Sequence, residues 1–167
     1  MPPATVVFAV GNRSRGDDAI APLLLERLAS WLAHTGQSDG FALIEDYQLQ
    51  IEHALDLRGK RLALFIDAGW RTRSPLAFYA IGAERGAASG ATHQLPPQGV
   101  LQVYRKVVQA EPPPAFVLCV RGDRFELGEG LSVSARANAE SAWLQLMRLC
   151  GRAEAAHWQA LADTRQD

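Results

Sequence analysis

An apolar, β-branched run at residues 5–10 passes through a turn bracketed by Gly11 and Gly16 and enters an amphipathic run at residues 19–32. Strand, tight turn and helix start are the reading that joins them. An uninterrupted apolar strand suits a parallel sheet covered on both faces. Glycines at the turn allow a positive φ or a close backbone approach. Pro22 lacks an N–H and belongs in or just after a first helical turn, which sets the helix start near Asp17 and Asp18. Ile20, Leu24, Leu28 and Trp31 follow at helical spacing.

The same alternation continues. Residues 41–44 form a second short strand ending in Glu45 and Asp46, and residues 51–57 a brief helix closed by Gly59. Residues 61–68 carry the strongest strand signal, apolar until Asp67 at the carboxyl end. Residues 76–81 make a fourth strand, antiparallel to its neighbour because little chain separates it from the third. A helix over 98–108 is expected to bury Val100, Leu101, Tyr104 and Val107, and residues 115–120 form a fifth strand. The last long helix, 132–149, turns Ala135, Ala139, Ala142, Leu146 and Leu149 inward, with Gly151 as its stop. Alternating strands and helices predict an α/β sandwich on a largely parallel sheet of about five strands. One domain over 1–167 is expected, with a core at about 5–150 and a partly helical tail at 151–167.

Composition excludes several classes. A net charge of −1 with scattered basic residues gives no electrostatic case for nucleic acid. No apolar run approaches the roughly 20 residues needed to span a bilayer. The amino terminus lacks the charged and apolar regions of a secretory signal, so a cytoplasmic location is expected. Cys119 and Cys150 then read as buried thiols rather than a disulfide.

In open α/β sheets ligands bind beyond the carboxyl ends of the strands, where strand order reverses. Asp18 follows the first strand, Asp67 ends the third, and His93 lies on a loop able to reach the same edge. Two carboxylates and an imidazole are a reasonable donor set for a borderline divalent ion such as zinc or nickel. Each has a plainer role available: a helix cap for Asp18, a loop anchor for Asp67, an ordinary surface histidine for His93. Of the acidic pair, Asp17 is assigned to the cap and local hydrogen bonding and Asn12 to holding the turn, with Asp46 lining the cleft. The turn fits neither G-x-G-x-x-G nor the P-loop, and two acids at a helix start repel phosphate. No G-x-S-x-G is present.

Four segments, taken in order, resemble one family. Gly11-Asn12 with Gly16-Asp17-Asp18-Ala19 is similar to the G-N-x-x-x-x-D-[DE]-[GA] signature of the hydrogenase maturation endopeptidases. Leu64–Ala68 resembles that family's strand ending in Asp-Ala, Thr92–Leu95 its histidine loop, and Gly128–Ser132 its carboxyl-terminal segment. The chain departs from the pattern at Ala19 and Ala21, where glycines are usual. It also carries Asp46-Tyr47-Gln48-Leu49 in place of Asp-Gly-Gly-Thr. The stretches around Asp18 and Glu45–Glu52 look most like the branch serving soluble, NAD-reducing hydrogenases.

The resemblance implies a three-layer α/β/α sandwich. It also implies a protease that removes the carboxyl-terminal extension of a [NiFe]-hydrogenase large-subunit precursor after nickel insertion. Asp18, Asp67 and His93 would be the metal-contacting, catalytic set, the nickel would arrive with the substrate, and no organic cofactor is expected. The competing readings are a stand-alone metal hydrolase with its own ion, and a non-catalytic chaperone that shields the precursor's tail.

Overall fold

A computed structural model describes residues 2–84 and 95–163. Five strands make one sheet: β1 (Thr5–Val10), β2 (Phe41–Asp46), β3 (Leu62–Gly69), β4 (Leu76–Ile81) and β5 (Ala115–Arg121). Their order is β2-β1-β3-β5-β4, with β4 alone antiparallel. The helices are α1 (Ile20–His34), α2 (Pro97–Val108), α3 (Val133–Gly151) and α4 (Ala155–Leu161), and a 3-10 helix covers Ile51–Leu57. Among the described residues, no helix is long and apolar enough to cross a membrane.

Strand side chains alternate between the two faces, and the sheet uses both. Val7, Ala9, Leu64, Ile66, Phe116 and Leu118 pack with α1, α3 and α4. Val6, Phe8, Ala63, Phe65 and Val117 pack on the other side with α2 and the 3-10 helix. This is the three-layer α/β/α sandwich, and it explains why β1 and β3 read as unbroken apolar runs. Phe8 stacks on Phe65 across neighbouring strands, centroids 4.7 Å apart. Trp158 of α4, fully buried, sets its ring edge against Phe78 and Phe116.

Three expectations need correction. Gly151 does not stop the last helix: it is the final residue of α3, and Arg152 follows as the cap. Val107 is exposed, because the inward stripe of α2 runs through Val100, Leu101, Tyr104 and then Val108. A helix turning about 100° per residue brings position i+4 from Tyr104 inward, and i+3 faces outward here. Asp67 does not close β3 either. Gly69 still pairs with Arg121 of β5, so the strand carries the carboxylate two residues inside its end.

Candidate active site

After β1 the chain continues outward to β2 on one side, and β3 lies on the other. The order therefore reverses between β1 and β3, the place where a cleft opens above the carboxyl ends of a parallel sheet. The turn after β1 supplies Asp18, and β3 supplies Asp67 two residues before its carboxyl end.

The turn is built around Asp18. The Asn12 N–H donates to its Oδ2 at 2.7 Å, and the Asn12 Oδ1 accepts from the Ser14 N–H at 2.9 Å, an Asx-type turn. Gly11 lies so close beneath that a Cβ there would stand 2.0 Å from the Asp18 carbonyl oxygen. The Gly11 N–H donates to the Asp46 carbonyl at 3.0 Å, tying the turn to the end of β2. The Asn12 side chain is thus bonded within the turn. Burial raises the Asp18 carboxyl above its ordinary value, against the pull of the Asn12 N–H and the charge of Arg15.

Neither acid caps its own helix. Residues 16–19 form a 3-10 turn ahead of α1, and no side chain caps it or α1. Asp17 instead points away from the helix, fully buried, into the segment between β5 and α3. Its Oδ2 accepts from the N–H groups of Asp123 (2.8 Å) and Arg124 (3.0 Å) and from the Ser132 hydroxyl (2.8 Å); its Oδ1 accepts from the Ser132 N–H (2.8 Å). Burial pushes this carboxyl up, but the Ser132, Arg124 and Asp123 donors outweigh it and hold it below the usual range.

Asp67 continues the Ala63–Phe65 face and so turns toward the α2 layer. It borders a pocket of about 210 Å³ with Val10, Gln48, Leu49, Leu95, Pro96 and Pro97. Burial pushes its carboxyl up to about 7, the Ala68 N–H at 2.8 Å opposes this, and the charge of Asp18 adds to it. The two carboxylates are near enough to feel each other. His93 lies outside the described residues; Leu95, two positions later in the chain, lines the Asp67 pocket. Among the described residues no group of three His, Cys, Asp or Glu is placed to hold an ion.

Sequence reasoning missed one pair. Asp46 stands beside His53, with Nε2 3.3 Å from Oδ2, while the Gln50 N–H donates to Nδ1 at 2.8 Å. That bond leaves the proton of the neutral ring on Nε2, facing Asp46. The signal was the spacing Gln50-x-x-His53, a capping-box pattern with histidine in the reciprocal position. At the tip of the turn Arg13 binds Glu45 through two bonds, at 2.9 and 2.7 Å, and Glu26 through a third at 2.9 Å.

No family model matches the chain, and no curated protein matches it. Solved structures do. The chain superposes on the [NiFe] hydrogenase maturation protease HycI from Thermococcus kodakarensis with a TM-score of 0.68, at 19% identity over 89% of this chain and 92% of that one. It superposes on the hydrogenase maturating endopeptidase HybD from E. coli with a TM-score of 0.66, at 20% identity over 88% and 90%. A hydrogenase 2 maturation peptidase from a Thaumarchaeota archaeon gives 0.61, at 20% identity over 88% and 97%. These values establish a shared fold along nearly the whole of each chain.

Proposed function

We propose that this chain is an endopeptidase that removes the carboxyl-terminal extension of a nickel-loaded [NiFe]-hydrogenase large-subunit precursor. The observation that carries the reading is the position of Asp18 and Asp67 on either side of the β1/β3 switch point, where the Asp18 charge adds to the upward shift of the Asp67 carboxyl. It occurs on a fold shared with maturation proteases and beside the sequence motifs that resemble theirs. Asp18, Asp67 and His93 are the groups assigned to contact the nickel, which belongs to the substrate.

The electrostatics favour such a visitor. Burial and the neighbouring charge both work against two ionised carboxylates here. A divalent cation offsets both, so the site becomes a good ligand set when the metal-bearing precursor docks. The precursor's metal then fixes the scissile peptide beside the carboxylates, and placement does much of the work that a strong nucleophile would do elsewhere. Cleavage becomes a checkpoint on nickel insertion.

The test follows the size of the large subunit after mixing the chain with nickel-loaded and with nickel-free precursor. Shortening of the loaded form alone is expected; equal rates for both would overturn the checkpoint. Asp67→Asn and His93→Ala are each expected to abolish shortening, and full activity in either removes that residue from the set. Purified protein is expected to carry little metal, whereas a tight stoichiometric ion would favour a hydrolase with a metal of its own.

A further inference from the structure

We propose that Asp17 is the positioning residue of the site: it sets Asp18 by clamping the β1–α1 turn to the segment between β5 and α3. The inference rests on the reading of Asp18 as a site carboxylate. It assigns the β5–α3 segment a function that segment otherwise lacks.

Four donors converge on one fully buried carboxylate, and all come from residues 123–132, more than a hundred positions away. The backbone repeats the connection. The Gly16 N–H donates to Glu129 O at 3.1 Å, Asp17 N–H to Arg124 O at 2.7 Å, and Gly128 N–H to Ser14 O at 2.7 Å. Two glycines make the approach possible. A Cβ on Gly16, whose φ is +52°, would meet Arg124 O at 2.4 Å, and one on Gly122 would meet the Asp17 Cβ at 2.9 Å. The far end of the clamp is firm as well, because the Ser132 hydroxyl that donates to Asp17 also accepts from Ala135 N–H as the cap of α3.

Asp18 is the next residue, and among the described residues its side chain has only the Asn12 N–H as a hydrogen-bond donor. Its position is therefore set from two sides, by Gly11 and Asn12 below and by the Asp17 clamp behind. A carboxylate is the required chemistry for the clamp. Every partner is a donor, and an amide in its place would turn an NH2 group toward N–H groups.

The experiment compares the full chain with Asp17→Asn, Ser132→Ala and Leu146→Ala, the last a truncation in the α1/α3 core matched for lost stability. It reads kcat and KM for shortening of nickel-loaded precursor and the NMR shift of the Asn12 amide. Asp17→Asn is expected to lower kcat roughly 100-fold, since displacements of about 1 Å carry losses of that order. KM should change little, and the Asn12 amide should move as its bond to Asp18 loosens. Ser132→Ala should move both in the same direction by less, and it also serves where Asp17→Asn does not fold. Leu146→Ala should lower the melting temperature and leave kcat and the Asn12 shift alone. An unmoved Asn12 amide in both clamp variants, or equal changes in Leu146→Ala, overturns the positioning role. Failure of the unaltered chain to shorten any precursor sinks the protease reading instead, and the amide shift still decides the clamp.

Discussion

Gly11 and Asp18 are seven positions apart and in contact: a single methyl group on Gly11 would stand 2.0 Å from the Asp18 carbonyl oxygen and 3.3 Å from its Oδ1. The contact is with backbone, which no rotamer change relieves. Gly11→Ala is therefore expected to push the turn off the sheet, destabilise the chain by about 1–3 kcal/mol and lower precursor shortening roughly 100-fold. Gly40→Ala is the control, since its Cβ meets nothing within 4 Å. Urea unfolding and the shortening rate check both, and normal activity in Gly11→Ala would show that Asp18 does not need this support.

Asp67 gives the chain a pH dependence of definite sign. Its carboxyl sits at about 7 in the fold against an ordinary 3.8. Between those values the folded chain holds a proton that the unfolded chain has released. Stability from this group is present below about pH 4, falls as pH rises toward 7 and then levels. Asp67→Asn abolishes the dependence, so it should gain on the unaltered chain by up to ~4 kcal/mol between pH 4 and pH 7.5, at about 1.4 kcal/mol per unit. Urea unfolding at the two pH values measures the gain, and an equal difference at both would contradict the burial argument. Asp17 runs the other way: held below its usual range, it contributes stability that is lost on acidification.

Most of the scaffold was legible because it is written in local pattern. The unbroken apolar runs of β1 and β3 and Pro22 near the start of α1 act within a few residues of themselves. The site was legible only as types at an edge. Asp17 and Asp18 look alike in sequence, and what separates them is a set of partners at residues 123–132 that only the folded sheet brings near. The assignment of Asp17 to a helix cap failed for that reason: a better group of donors was available across the fold than at its own helix. Asp46 and His53 were hidden similarly, since the closure of the 3-10 helix sets the ring against the end of β2.

The free edge of the sheet at β4 has its own clasp. The Phe78 N–H donates to Asp163 Oδ2 at 3.0 Å, the Asp163 N–H returns a bond to Phe78 O at 2.7 Å, and Arg73 pairs with the same carboxylate. Asp163→Ala leaves an edge N–H without its charged acceptor. A loss of about 1–2 kcal/mol is expected, together with faster amide exchange at Phe78, while shortening of the precursor stays unchanged because the clasp is remote from the β1/β3 switch point. Unchanged exchange at Phe78 would show that the clasp does not form in solution.

Both cysteines should be inert in the folded chain, for reasons that differ. Cys150 is buried in the α3 core, and burial alone pushes its thiol up to about 12. Cys119 stands beside Asp67 in the β3–β5 register, its sulfur 2.9 Å from the Thr72 hydroxyl, and burial together with the Asp67 charge pushes it up to about 11. The nucleophile is the thiolate, so at pH 8 a disulfide reagent should react with the native chain roughly a hundredfold or more slowly than with free cysteine. Both thiols should react at once in denaturant. Neutralising Asp67 removes one contribution at Cys119 and none at Cys150, so Asp67→Asn is expected to quicken Cys119 selectively. Equal rates for Cys119 with and without Asp67 would mean that the carboxylate and the sulfur do not share one environment.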